Sequence, residues 1–257
     1  MLKDLSEPAL VQAVEQNLFE WYRRLGASPG IEVHDEPRML WGLTDIHVPI
    51  FNGVLRAQIQ PGEVDAAIDE VLGRAKVRGV PIMWWTGPVT EPSDLPQALE
   101  ARGFVREESA PGMALHLDRL IEDAVPLPTG FEIERVRDVE TLYTWCSVMV
   151  PGFGLPDVAI EGWHRLYRAV GVGADAPVRH FLGRLEGRDV ATASVNFGAG
   201  VGGIYNVSTQ PEARGRGIGY AISLRAALEA RQAGYEAALL HSSEMGHPVY
   251  LRMGFRD

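Results

Sequence analysis

Only one cysteine, Cys146, occurs in the 257 residues, so no disulfide framework can hold the chain and a reducing cytoplasm is the expected location. Long apolar runs are also missing. No stretch reaches the roughly 18 residues that a membrane-spanning helix needs, and Met1-Leu-Lys-Asp-Leu-Ser-Glu7 does not read as a signal peptide. Positive charge is scarce: 24 Lys and Arg against 34 Asp and Glu leave a net charge of −10. That balance argues against general nucleic-acid binding and leaves acidity to serve solubility or a cationic small-molecule partner. His241 and His247 have neither a Cys partner nor His-x-x-x-His spacing, so no metal site is expected. Cys146 lies among Leu142, Val148 and Met149 on a helical pattern, which makes it a packing residue rather than a nucleophile.

What is present is an ordinary globular composition, 46% apolar and 23% charged, in a chain long enough for two domains. The first half reads as a helix from Pro8 to Leu25, strands over Glu32 to Leu43 and Val48 to Ala57, and a helix from Gly62 to Arg78. A buried strand Pro81 to Trp85, a short helix Leu95 to Arg102 ending in Gly103-Phe104, and a strand Met113 to Leu117 complete it. Residues 121–130, with Pro126, Pro128 and Gly130, read as a linker. The second half has strands at Phe131 to Val136, His180 to Leu185, Val190 to Phe197, Gly203 to Thr209 and Ala237 to His241. Its helices are Asp138 to Val150, Val158 to Val170, one from the glycine-rich turn to Gln232, and His247 to Arg252. Aligned on their Gly-Phe pairs, the halves repeat one order of elements over about 125 residues, the mark of a duplicated domain.

The copies differ at one place. In the second half, Arg214-Gly-Arg-Gly-Ile-Gly-Tyr220 links a strand to a helix, where exposed N–H groups and the helix dipole favour a phosphate. At the matching place the first half has Gln60-Pro-Gly-Glu-Val-Asp65, whose two carboxylates complement the dipole themselves and repel a phosphate.

The second half resembles the GNAT superfamily of acetyl-coenzyme A dependent N-acetyltransferases. Arg214, Gly217 and Gly219 match its Arg/Gln-x-x-Gly-x-Gly/Ala signature. Tyr250 stands four residues before Gly254-Phe255 on a short helix, as a second signature requires. The resemblance implies two tandem GNAT domains of α/β class, each a mixed, mostly antiparallel sheet flanked by helices: a degenerate copy over residues 1–120 and a catalytic one over 131–257. It further implies an acetyltransferase acting on a primary amine of a small molecule or peptide by direct attack in a ternary complex, with acetyl-CoA as donor. The pyrophosphate would sit on Gly215, Arg216, Gly217, Ile218, Gly219 and Tyr220, the pantetheine along Val207, Ser208 and Thr209, and Tyr250 would protonate the departing thiolate. Ser243 stands where many relatives carry a cofactor-binding Asn.

The sequence departs from the family in two ways. Ala238 and the strand Gly203 to Thr209 lack the carboxylate that relatives use as base, so Glu244, His241 and His180 are the candidates beside a base acting through water or uptake of an already neutral amine, and a non-catalytic acyl-CoA binding or sensing protein is the alternative. The family's last strand is also missing after Gly254-Phe255, so either the chain is truncated or another segment fills that edge. Trp84-Trp85 reads as packing between the halves. Tyr143, Phe153, Trp163 and Tyr167 read either as an aromatic cage on the acceptor side or as helix packing.

Overall fold

In the computed structural model, which describes residues 1–107, 109–122 and 125–257, the chain divides into two units, Tyr22–Ser109 and Met1–Trp21 with Ala110–Asp257. Helix α1 (Glu7–Leu25) bridges the division in sequence. The boundary read from the sequence at 121–130 therefore does not coincide with the division by packing. Asp123 and Ala124 of that expected linker lie outside the described residues.

The smaller unit holds a sheet in the order β1 (Glu32–Glu36), β2 (Met39–Leu43), β3 (Gly53–Ala57), β4 (Met83–Trp84). Its first pair is a hairpin rather than the single strand expected over Glu32 to Leu43: Pro37 has no N–H to continue a ladder and turns the chain. The expected strand Val48 to Ala57 likewise starts late, because Pro49–Phe51 form a 3-10 turn. Asn52 holds that turn, its side chain accepting from Thr44 N and donating to the Ile46 and Val48 carbonyls. The strand expected over Pro81 to Trp85 shrinks to two half-buried residues paired parallel to β3. Trp41, Leu43, Val54 and Ala57 meet Ile68 and Val71 of α2 (Val64–Arg78) and Leu95 and Leu99 of α3 (Leu95–Ala101) in the core. Trp84 packs edge-on against Phe104 at 6.2 Å.

The larger unit is built on six strands in the order β5 (Gly112–His116), β10 (Ala237–His241), β9 (Val201–Thr209), β8 (Arg188–Gly198), β7 (Val178–Leu185), β6 (Phe131–Arg135). All pairs are antiparallel except β9 with β10. The edge left open after Gly254-Phe255 is thus filled from the first half of the sequence. Ala237 to His241 pair with His116 to Gly112, and Ala114 exchanges both backbone hydrogen bonds with Arg256 on its other side. Its alternating apolar residues Met113, Leu115 and Leu117 are buried in the same core as Leu240, Met253 and Phe255.

Helix α6 (Ile218–Gln232) covers the apolar face of this sheet with Ile222, Ala226, Ala227 and Ala230, against Phe181, Ala193, Val195 and Ile204. The alternate residues of β8, Thr192, Ser194 and Asn196, are polar and equally buried. They share a sheet face with His180, which pairs with Ser194 in register. Trp145 of α4 (Val139–Gly152) and Tyr167 of α5 (Val158–Val170) pack on this second face, each ring 4.5 Å from His180. Helix α7 (His247–Met253) follows β10 and ends at Gly254.

Candidate functional site

Strands β9 and β10 pair only at Gly202 with Ala238 and Gly203 with Leu239. Beyond these residues β9 continues for six more without pairing to β10, so its edge on that side is free as far as the glycine-rich turn. A bulge in β9 sharpens the departure. The register against β8 shifts between Thr192 and Ser194, and Asn206 takes φ 54°. Asn tolerates this left-handed conformation better than other side chains. Here the Asn206 amide donates to Tyr167 Oη and Ser194 Oγ, both at 2.8 Å, while its carbonyl accepts from Thr192 Oγ1 at 2.8 Å. Neighbouring Tyr205 donates to Asn17 Oδ1 of α1 at 2.9 Å. Burial raises the phenol pKa of both tyrosines well above the usual value. None of Asn17, Thr192, Ser194 or Asn206 was singled out by the sequence; the alternation of Thr192, Ser194 and Asn196 was the available signal.

Of the expected donor-site residues, Val207, Ser208 and Thr209 end β9. Ser208 is buried against Thr192 Oγ1 at 2.8 Å. A 3-10 turn, Pro211–Ala213, then leads into Arg214. The Arg214 Nε donates to Thr209 O at 2.9 Å, so this side chain braces the turn from within. Gly215 has φ 70° and open space where a Cβ would stand. Gly217 begins α6 with φ 78°, and a Cβ there would lie 2.6 Å from Val125 Cγ1, so packing also requires this glycine. No side chain caps α6 and no carboxylate stands in its first turn. Ile218 and Tyr220 turn into the core, with Tyr220 Oη on Ile121 O at 2.7 Å. Arg216 is exposed at the rim. An uncapped helix start with glycine at its second residue fits a phosphate-bearing group.

Tyr250 is buried, with its ring against Gly246 and Phe255. Burial pushes its phenol up to about 12, the Ser223 hydroxyl acting in the opposite sense. Ser243, expected to reach a cofactor, accepts from Gly246 N at 3.2 Å and helps start α7, which leaves its hydroxyl proton free to donate. The three base candidates do not converge. His180 lies on β7, two strands from β9, and Glu244 is exposed beyond β10. His241 ends β10, where burial lowers its imidazole to about 4. His180 is lowered by burial to about 3, and neither ring nitrogen has a hydrogen-bond partner. Cys146 is buried and its thiol pKa is pushed up by burial, as its packing role requires. Of the four expected cage residues, Trp163 and Tyr167 stack at 5.4 Å in the interior, while Tyr143 and Phe153 are exposed. Among the described residues no group of three metal-capable side chains occurs, and no helix is long and apolar enough to cross a membrane.

Residues 177–257 match the family described as an acetyltransferase (GNAT) domain. No curated protein matches the sequence. Among solved structures, a GCN5-related N-acetyltransferase from Kribbella flavida superposes with a TM-score of 0.72 at 18% identity, over 98% of this chain and 93% of that one. A conserved protein of unknown function from Staphylococcus epidermidis gives 0.62 at 14% identity, over 89% and 90% of the two chains. A GCN5-related N-acetyltransferase from Sphaerobacter thermophilus gives 0.59 at 17%, covering 88% of this chain and 72% of its own. At such identities these likenesses speak for the fold alone, and the domain match concerns residues 177–257. Residues 177–257 are thus similar to the acetyltransferase (GNAT) domain family, and the chain as a whole shares the fold of these solved structures.

Proposed function

We propose that the larger unit uses acetyl-CoA as donor and transfers the acetyl group to a primary amine of a small molecule or peptide, by direct attack within a ternary complex. The observation that carries this reading is the free edge of β9 running from the bulge at Asn206 into an uncapped, carboxylate-free start of α6. Backbone groups of Val207 to Thr209 would pair with an amide-bearing arm, and Gly215 to Tyr220 would hold the pyrophosphate. When bound there, acetyl-CoA supplies an activated thioester. Tyr250 is protonated at any ordinary pH, the form that can donate to a departing thiolate.

The amine must attack as the free base. Both histidines hold protons too weakly to be efficient bases near neutral pH, and β9 offers no carboxylate. We therefore assign the deprotonation to solvent before binding, so that the neutral amine is the species taken up. Two measurements test the proposal. Tyr250→Phe should lower thiol release about 100-fold or more while leaving calorimetric coenzyme A affinity within about threefold. The pH profile of kcat/KM should rise with the pKa of each amine tried rather than with one fixed enzyme group. Unchanged turnover in Tyr250→Phe would remove this residue from the reaction, and coenzyme A binding with no acetylation of any amine would favour a sensing protein.

A further inference from the structure

Positive charge gathers at a second place along α6, on residues remote from one another in sequence. Arg135 ends β6, Arg179 begins β7, and Arg225 lies on α6 itself; the fold turns all three guanidinium groups onto the carboxylate of Glu229. Arg179 Nη1 stands 2.9 Å and Arg135 Nη1 3.2 Å from Glu229 Oε1, and Arg225 Nη2 stands 2.6 Å from Oε2. Arg135 also donates to the carbonyls of Gly173 and Ala174 at 3.3 and 2.7 Å. The planes of Arg179 and Arg225 lie over Phe197 and Phe181, each 4.7 Å from the ring centroid.

The charges in this cluster do not cancel. Three cations surround one anion, leaving a local excess of two positive charges in a chain whose net charge is −10. Both Glu229 oxygens are engaged, yet Arg135 Nε, Arg179 Nε and Arg225 Nη1 are buried without an acceptor. Charged donors left so are costly, and a structural ion pair needs only one arginine per carboxylate. Two of the guanidinium planes are already oriented by aromatic faces, which lowers the entropy lost when a planar fork captures an oxyanion. The arginine side chains keep 15%, 19% and 31% exposure, so the cluster reaches solvent while Glu229, at 6%, lies beneath it.

We propose that Arg135, Arg179 and Arg225 form a site for a small tetrahedral oxyanion, inorganic phosphate or sulfate or the phosphate group of a metabolite, with Glu229 as the internal anion that competes for it. Arg225 stands eight residues past Gly217, roughly 12 Å along the helix. The site is therefore separate from the glycine-rich turn and does not depend on what that turn binds.

The test is the melting temperature in phosphate and in sulfate against chloride at matched ionic strength, for the native chain and four variants. The native chain should be stabilised by phosphate or sulfate and not by chloride. Arg179→Gln should raise the half-saturating phosphate concentration about tenfold, and the milder Arg179→Lys, which keeps the charge and loses the fork, about threefold. Glu229→Gln removes the competitor and should lower that concentration about tenfold. Gly219→Asp, which places a carboxylate at the α6 start, should leave the response in place. Equal effects of phosphate and chloride, a response unchanged in both Arg179 variants, or a weaker response in Glu229→Gln would overturn the assignment. If Arg179→Gln does not fold, Arg179→Lys and Glu229→Gln still decide, because the proposal moves their responses in opposite directions. A native response that only an organic phosphate elicits would name the metabolite's phosphate as the source.

Discussion

Helices α2 and α6 occupy matching places in the two units and end up chemically opposite. Each has 15 residues and follows a 3-10 turn that opens with proline, Pro61–Glu63 in one and Pro211–Ala213 in the other. At α2 the helix start carries Glu63 and Asp65, and Asp65 with Asp69 binds Arg102 just past α3. At α6 the start carries Gly217 in the left-handed region and no carboxylate within the first turn. The comparison teaches that a scaffold need change only a few residues at one helix start to pass from a self-neutralised terminus to one that attracts an anion. A second contrast accompanies it. The sheet of the smaller unit ends with four strands, while β5, which follows it in sequence, completes the sheet of the larger one.

The largest expected effect comes from breaking that second contrast. A chain beginning at residue 121 lacks β5 and exposes the edge of β10, so it should be recovered as aggregate rather than as soluble protein with cooperative melting. Next in size is Gly219→Asp, which gives α6 the carboxylate that α2 carries. It should weaken coenzyme A binding about 100-fold by calorimetry, roughly 3 kcal/mol, with little change in melting temperature.

A comparable effect, on the order of a few kcal/mol, is set by pH in the larger unit. In the folded chain burial lowers His180 to about 3 and His241 to about 4 from an ordinary 6.5, so the unfolded chain takes up protons that the folded one excludes. Stability is full above pH 6.5 and falls as pH drops toward those folded values. His180→Leu should reduce the slope of the denaturant midpoint across that window to the part that His241 contributes, whereas the same slope in this variant would remove His180 from the account. The smallest is Asp65→Asn at α2. The pair with Arg102 is solvent-exposed, so the loss of stability should be small and vanish in high salt.

How much the sequence revealed follows from how local each feature is. The glycine turn and the Tyr250 to Phe255 spacing were legible because their residues lie within a few positions of one another. The destination of Met113 to Leu117 was not, because the alternation that makes it a strand suits either sheet and its partner lies far along the chain. Proline explains two boundary errors: Pro37 splits one expected strand and Pro49 delays another. The pinning of Asn206 by Tyr167, Ser194 and Thr192, and the gathering of three arginines on Glu229, each draw on separate elements, so no periodicity announces them. Ser243 shows the converse. Its place before Tyr250 suggested a ligand, and what the spacing did not announce is that its hydroxyl accepts from Gly246 N in the turn that begins α7.

The placement of β5 also sets an order of events during synthesis. Its partners Ala237 to His241 are translated roughly 120 residues after it, a delay of about 6 to 24 seconds at ordinary elongation rates. For most of that interval Met113, Leu115 and Leu117 form a β-prone segment without its sheet, while the strands and helices of the smaller unit have already been translated. The nascent chain therefore carries a sticky edge between a segment already able to fold and one not yet complete, so chaperones that shield apolar strands have a defined window in which to act.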